Sequence, residues 1–112
     1  MNCSFQASLW KHPGPGGWHF VTLPKPLSNR IRDQHGPDEA GWGRLKAVAR
    51  IGRTEWDTSI WYDASRGEYL LPIKASVRKS EKLAIEDRIT VDLSFPSADW
   101  RAGMAHLFAF DG

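Results

Sequence analysis

Alternation of apolar and polar side chains is the feature that most constrains how this chain can fold. In residues 88–95, Ile89, Val91, Leu93 and Phe95 alternate with polar neighbours. A period of two places alternate side chains on opposite faces of a β-strand, so this segment is predicted to be a half-buried strand. Similar alternation or short apolar runs predict five further strands, at residues 3–9, 18–23, 45–51, 56–62 and 69–73.

Proline and glycine separate these segments. Pro72 lies inside the strand predicted at residues 69–73. A proline has no N–H for a ladder, so that strand is expected to end there or to lie at an edge. Residues 12–17, HPGPGG, are expected to form a loop. Residues 52–54, Gly-Arg-Thr, predict a three-residue hairpin loop.

Two short helices are predicted between the strands. Ser28 is a candidate N-cap for a helix at residues 29–35, which Gly36 and the following proline would end. Residues 74–82 contain good helix formers and neither glycine nor proline. On a helix, Lys74, Arg78 and Lys82 would form one exposed cationic stripe.

These elements predict a mainly β fold in one domain. The chain has 112 residues, which is the size of a single domain. Six strands in so short a chain predict a small, mostly antiparallel, closed or nearly closed barrel, because closure removes exposed strand edges. We assign residues 1–95 to this barrel domain.

Residues 96–112 are predicted to be a C-terminal tail outside the barrel. Trp100, Met104, Leu107 and Phe108 recur at helical spacing, which predicts an amphipathic helix that Gly103 would weaken. Three arrangements remain open: the tail docks on its own barrel, it docks on a second subunit to form a homodimer, or it frays.

Composition and charge indicate the compartment. Cys3 is the single cysteine, so no internal disulfide can form and a reducing compartment is expected. Residues 1–10 lack the basic start and apolar run of a signal peptide, and no stretch approaches the roughly 18 apolar residues that span a bilayer. We therefore expect a soluble cytoplasmic protein without a membrane partner.

The net charge of +2 is too small to indicate nucleic-acid binding by itself.

The cationic stripe is one candidate for ligand binding. Like charges four residues apart on a helix repel, so Lys74, Arg78 and Lys82, with Lys79 beside them, favour a counter-charge. The stripe could simply be a solvated face, or Arg78 could pair internally with an aspartate at 57 or 87. A carboxylate or phosphate partner is the third interpretation, because the fork of an arginine suits either group.

Aromatic residues beside glycine are the other candidate. Trp18 and His19 follow the glycine-rich loop, and Trp42 lies between two glycines. Core packing is the alternative, because large aromatic side chains fill small β cores. If these rings faced the cations, they would form an apolar pocket with a cationic wall. The predicted ligand-binding residues are therefore Trp18, His19, Trp42, Lys74 and Arg78.

The sequence offers little for catalysis. It contains no nucleophile elbow, phosphate loop or dinucleotide fingerprint. The best candidates for zinc binding lack the close spacing of zinc ligands: His12, His19, His35, His106 and Cys3. Four acidic residues near turns could form a carboxylate pair but are more simply solvated: Asp57, Asp63, Glu68 and Asp87. We expect no metal and no cofactor, and an enzyme is the least favoured class.

Five short motifs resemble the family called domain of unknown function 1905. They are residues 5–9 (FQASL), 16–24 (GGWHFVTLP), 41–43 (GWG), 56–59 (WDTS) and 69–74 (YLLPIK), the last followed by VRK. The resemblance extends over about residues 5–93 and implies a small, mostly antiparallel β-barrel with no established activity. In one place the sequence departs from it: Glu86-Asp87 stands where such sequences often have Gly-Asp, and glutamate resists the positive φ that glycine permits.

Three functions remain open at this point. The leading hypothesis is a non-enzymatic module that binds an anionic small molecule or a peptide carboxylate near Trp18, His19, Lys74 and Arg78. The second is nucleic-acid binding through the basic residues Arg44, Lys46, Arg50, Arg53, Arg78, Lys79 and Lys82. The third is a protein-interaction or dimerisation domain that uses the C-terminal tail.

Overall fold

The alternating segments form one antiparallel sheet that is accompanied by two short helices. A computed structural model describes residues 2–35 and 43–95 of the chain. The strands are β1 (Asn2–Ser8), β2 (Trp10–Lys11), β3 (His19–Thr22), β4 (Arg44–Ile51), β5 (Thr54–Asp63), β6 (Glu68–Pro72) and β7 (Arg88–Ser94). The helices are α1 (Lys25–His35) and α2 (Ala75–Ser80).

The sheet has the strand order β1-β7-β4-β5-β6-β3-β2 and curves into an open half-barrel. Its two edge strands, β1 and β2, are consecutive in the chain. The first pairs with β7 along its whole length, and the second pairs with β3. Leu9 alone separates them. Its N–H donates to the carbonyl of Asp87 (3.0 Å), and its carbonyl accepts from the N–H of Glu86 (2.7 Å). One N-terminal segment therefore supplies both edges of the sheet.

The mainly β class is confirmed, but two details of the predicted barrel are wrong. All six predicted strands are present, with ends shifted by at most two residues. The seventh, β2, was missed because the chain changes its pairing partner at Leu9, which no local pattern shows. Within the described ranges no ladder joins β1 to β2, so the sheet is an open half-barrel rather than a closed or nearly closed barrel.

The hydrophobic core lies on the inner face of the curved sheet. Every second residue of β4 is buried there, as the alternation predicts: Leu45, Ala47, Ala49 and Ile51. Most of the matching positions on the other long strands are also buried, and α1 adds Leu27 and Ile31. Burying an aliphatic side chain of this size contributes about 1.5–3 kcal/mol. This face therefore supplies most of the stability of the fold.

The first helix begins earlier than predicted. Helix α1 starts at Lys25 instead of residue 29, with Pro26 in its first turn, where the missing N–H of a proline has no helical partner to lose. The prediction that Ser28 is the N-cap is wrong, since Ser28 lies inside the helix and is fully buried. Its Oγ donates to the carbonyl of Leu23 (3.3 Å) and accepts from the N–H of Tyr69 (3.0 Å). Ser28 thus attaches the helix to the sheet.

The second helix is shorter than predicted, because the chain turns out of it at Lys82. The N–H of Leu83 donates to the carbonyl of Arg78 (2.9 Å), and the N–H of Lys82 donates to that of Lys79 (3.3 Å). With Lys82 at φ +54°, this is the pattern of a Schellman motif. Lys82 is therefore not part of α2, and the prediction of a continuous helical stripe of Lys74, Arg78 and Lys82 is wrong.

Two turns differ from the expected loops. Ile51 pairs with Thr54, so the β4–β5 hairpin has two loop residues rather than three, with Gly52 at φ +58°. Glu86 has φ +75°, the left-handed conformation that the Gly-Asp of the family would adopt without strain. The hydrogen bond from Glu86 to Leu9 holds the residue there.

Some predictions fall outside the described residues. They are the tail at residues 96–112, its roles in docking and dimerisation, and Trp42. The limit between a domain at residues 1–95 and the tail stays a prediction. No helix in residues 2–35 and 43–95 is long and apolar enough to cross a membrane.

Candidate ligand-binding cleft

The sheet opens where Pro72 ends the pairing of β5 with β6. The N–H of Ile73 donates to the carbonyl of His19 (2.8 Å), and the carbonyl of Tyr69 accepts from the N–H of Leu23 (2.9 Å). The backbone groups of Tyr69 and Ile73 therefore point towards β3 and the segment beside it. Alternate residues of a strand bond to opposite neighbours, which directs Leu70 and Pro72 towards β5. Pairing between β5 and β6 includes Leu70 and stops before Pro72, which has no N–H to donate. The first half of β5 is therefore unpaired on this side.

A cleft of about 350 Å³ lies at this opening. One wall comes from the start of β5 and the other from the end of β6 and the start of α2, with the glycine-rich loop at the rim. Its lining residues are Gly16, Gly17, Trp18, His19, Trp56, Asp57, Thr58, Pro72, Ile73, Lys74, Ala75 and Arg78. The volume lies within the range of small-ligand sites.

The guanidinium of Arg78 is held in place at the cleft. Its Nε donates to the carbonyl of Ile73 (3.2 Å), and its Nη1 lies 3.3 Å from Nε2 of His19. Nδ1 of His19 is 2.7 Å from the carbonyl of Gly17. A carbonyl only accepts, so Nδ1 carries the proton and Nε2 is free to accept from Arg78. Each neighbour in this chain of contacts therefore fixes the orientation of the next.

The glycine-rich loop positions Trp18 and His19. Gly16 and Gly17 have φ of +100° and +64°, conformations that other residues rarely adopt. A Cβ on Gly16 would lie 3.0 Å from Cδ1 and Nε1 of Trp18, so the indole packs directly against this backbone. The loop thus places the indole on one side of the cleft and supplies the carbonyl that orients His19.

Lys74 contributes a second cation to the cleft. It lies at the position preceding α2, with extended backbone (φ −68°, ψ 159°), and its side chain is exposed. Within the described residues neither Lys74 nor Arg78 forms an ion pair, so the suggested pairing of Arg78 with Asp57 or Asp87 is not formed there. Asp87 instead accepts from the N–H of Ala84 (2.8 Å). Asp57 lines the same cleft as the cations.

The structure brings together four of the five residues predicted to bind a ligand. Trp18, His19, Lys74 and Arg78 line the one cleft, and Trp42 lies outside the described residues. Arg78 is half-buried and directed into the cleft, not along an exposed stripe. The sequence interpretation missed the β5 wall, Trp56, Asp57 and Thr58. Pro72 was the available signal, since its missing donor creates the opening beside that wall.

Three further cations lie on the strand β4. Arg50 forms an ion pair with Asp92 (3.4 Å) and lies opposite Glu55 across the β4–β5 ladder. Arg44 and Lys46 are exposed on the outer face of β4. Among the described residues no group of three or more histidine, cysteine or acidic side chains is placed to hold a metal ion.

Comparison with known proteins assigns the chain to a family without assigning an activity. No curated protein matches the sequence. The family model described as Domain of unknown function (DUF1905) matches residues 5–93. That range includes the sheet from Phe5 to Leu93, both helices and all the residues that line the cleft. The resemblance of the short motifs is therefore confirmed, and this chain belongs to the DUF1905 family.

Proposed function

We propose that this protein is a non-enzymatic binding module that holds an anionic small molecule in the cleft, with its carboxylate or phosphate against Arg78 and Lys74. The observation that carries the proposal is a guanidinium fixed in place at a concave opening, with no carboxylate bound to it in the described part of the chain. A pre-oriented cation loses little freedom when it binds an anion.

The donors of Arg78 suit a bidentate anion. A guanidinium has five N–H groups, and the contacts to Ile73 and His19 use two of them. The remaining donors can bind both oxygens of a carboxylate or phosphate, and such charge-assisted bonds are about twice as strong as neutral ones. Asp57 on the opposite wall repels a second negative group, which favours ligands with a single anionic end.

Binding of inorganic phosphate and of acetate, measured by calorimetry and by thermal shift, tests the proposal. Arg78→Gln should weaken the affinity by roughly tenfold to a hundredfold, because it removes charge-assisted hydrogen bonds of about 1.5–3 kcal/mol. Arg78→Lys should give an intermediate loss, since lysine keeps the charge but not the fork.

Lys79→Gln is the matched control, because Lys79 is the next residue of α2, is exposed and does not line the cleft. It removes the same charge and should leave the affinity within about twofold of the unmodified protein. Equal losses for Arg78→Gln and Lys79→Gln would assign the effect to net charge. That result, or the absence of binding by both anions, would overturn the proposal.

A further inference from the structure

The outer face of the sheet carries an aromatic cluster beside the cleft. We define this outer cluster as Trp10, Trp18, Phe20 and Trp61. The ring of Trp18 is nearly parallel to that of Phe20 (centroids 6.0 Å, 10°) and tilted against that of Trp61 (5.3 Å, 58°). The ring of Trp10 also contacts that of Phe20 (centroids 5.2 Å). These rings are supported by one another rather than by the core.

Trp18 is the most exposed member of the cluster. Its side chain is 47% exposed, although one face of the ring packs towards Phe20. Leaving so large an apolar surface in water has a cost, and exposed apolar patches mark interaction sites. The loop of Gly16 and Gly17 nevertheless fixes the indole here through positive φ angles and a close backbone contact. A rigid, half-exposed ring is suited to stacking on another ring.

A groove of about 850 Å³ continues from the cleft across this cluster. The cleft and the groove share four lining residues: Trp18, Asp57, Thr58 and Pro72. Beyond them the groove is lined by Trp61 and by the exposed cations Arg44 and Lys46. Arg44 lies directly opposite Trp61 in the β4–β5 ladder. An apolar groove therefore leads out of the opening that holds Arg78.

We infer that the anion bound in the cleft belongs to a molecule with a planar aromatic ring, and that this ring stacks on Trp18 in the adjoining groove. The inference rests on the proposed function, because Arg78 holds the anionic end. Trp18 lies immediately before His19, the residue that contacts the guanidinium of Arg78. The indole is therefore attached to the chain one residue from the proposed anion site. The ligand class is an aromatic ring joined by a short linker to one carboxylate or phosphate.

The charges along this surface favour such a small molecule over a nucleic-acid strand. Asp57 lies where cleft and groove meet, and a chain of phosphates crossing that point would be repelled. Beside the groove, Arg50 is already paired with Asp92. A ligand with a neutral ring and a single anion places its apolar part in the groove and brings only one negative group into the cleft, where Lys74 and Arg78 face Asp57.

Calorimetric titration with phenyl phosphate and with inorganic phosphate tests the inference. The unmodified protein should bind phenyl phosphate at least about tenfold more tightly, and Trp18→Leu should remove about tenfold of that affinity while leaving inorganic phosphate within about twofold. Trp10→Leu is the control, because Trp10 belongs to the same cluster but lines neither cavity. It should change neither affinity, provided that its unfolding midpoint stays close to that of the unmodified protein.

The outcomes separate the two proposals. Equal affinities of the unmodified protein for the two phosphates, with loss of both in Arg78→Gln, would overturn the aromatic inference and leave the anion site intact. An equal loss of both phosphates in Trp18→Leu would have the same meaning. No binding of either phosphate would overturn the proposed function and the inference with it. Salt-sensitive binding of single-stranded oligothymidylate that Trp18→Leu abolishes would replace the small ligand by a nucleic acid.

Discussion

Two neighbouring leucines of β6 show how different the faces of this sheet are. Leu71 faces inwards and is completely buried, whereas Leu70 faces outwards and is half-buried beside Trp61. Aliphatic and aromatic side chains, together with α1, cover the inner face. The outer face instead carries the three tryptophans of the outer cluster, and two of them, Trp18 and Trp61, line the groove. The inner face thus secures the fold, whereas the outer face holds the groove of the proposed ligand.

Alanine at these two positions tests that division and should give the largest effect. Leu71→Ala should lower the free energy of unfolding by about 3 kcal/mol, because it opens a cavity in a packed core. Leu70→Ala, the matched variant one residue away, should cost less than about 1 kcal/mol. Urea denaturation measures both. Equal losses would mean that the outer face contributes to the fold as much as the inner face does.

A second prediction concerns Glu86, in the turn that precedes β7. Glu86→Gly should raise the free energy of unfolding by up to about 1 kcal/mol. A residue with a side chain costs about 1–2 kcal/mol in the left-handed conformation, and glycine removes this strain. The larger conformational entropy of glycine in the unfolded chain offsets part of the gain. Glu55→Gly is the control, since Glu55 is exposed in β5 without a positive φ, and it should lose about 0.5–1 kcal/mol. A loss in both variants would show that the turn stores no strain.

The smallest effect is expected at the β5–β6 hairpin, where polar contacts replace burial. The hydrogen bond from Ser65 Oγ (2.6 Å), aided by backbone N–H groups and by Arg66, holds the pKa of Asp63 below its usual value of 3.8. A carboxyl whose pKa falls on folding contributes stability above the unfolded pKa and loses it as pH falls through the folded one.

Asp63→Asn should therefore cost less than about 1 kcal/mol at neutral pH. Its disadvantage should shrink as the pH falls below about 3.8 and disappear only below the lowered pKa of the folded protein, because the natural aspartate is then protonated in both the folded and the unfolded state. Unfolding midpoints across that acidic range provide the measurement. A difference between the two proteins that stays constant with pH would contradict the role of the charge.

Strands could be predicted from the sequence because their signal is local. Alternation at Leu45, Ala47 and Ala49 reports burial on one face whatever the neighbours are. The short strand β2 could not be predicted, since it exists only because the chain exchanges one partner for another at Leu9. The early start of α1 was also missed, because Pro24 and Pro26 are as typical of a strand end as of a first helical turn.

Part of the lining of the candidate cleft was predictable from the sequence, but its geometry was not. Glycines beside Trp18, and cations at Lys74 and Arg78, indicated a cationic aromatic pocket. The interpretation of Arg78 as part of a stripe failed because the Schellman motif ends α2 before Lys82. The wall formed by β5 and its Asp57 is open only because the nitrogen of Pro72 is directed towards β5. That direction follows from the register of the strands and not from the local sequence.

The double use of the N-terminal segment also sets an order of events during synthesis. The partner of β2 is complete once residue 22 has been made, but the partner of β1 is complete only after residue 94. Until then the two residues of β2 can pair with β3, whereas the seven residues of β1 have no partner strand. The pairing of Asn2–Ser8 with Arg88–Ser94 is therefore a non-local contact of the kind that slows folding.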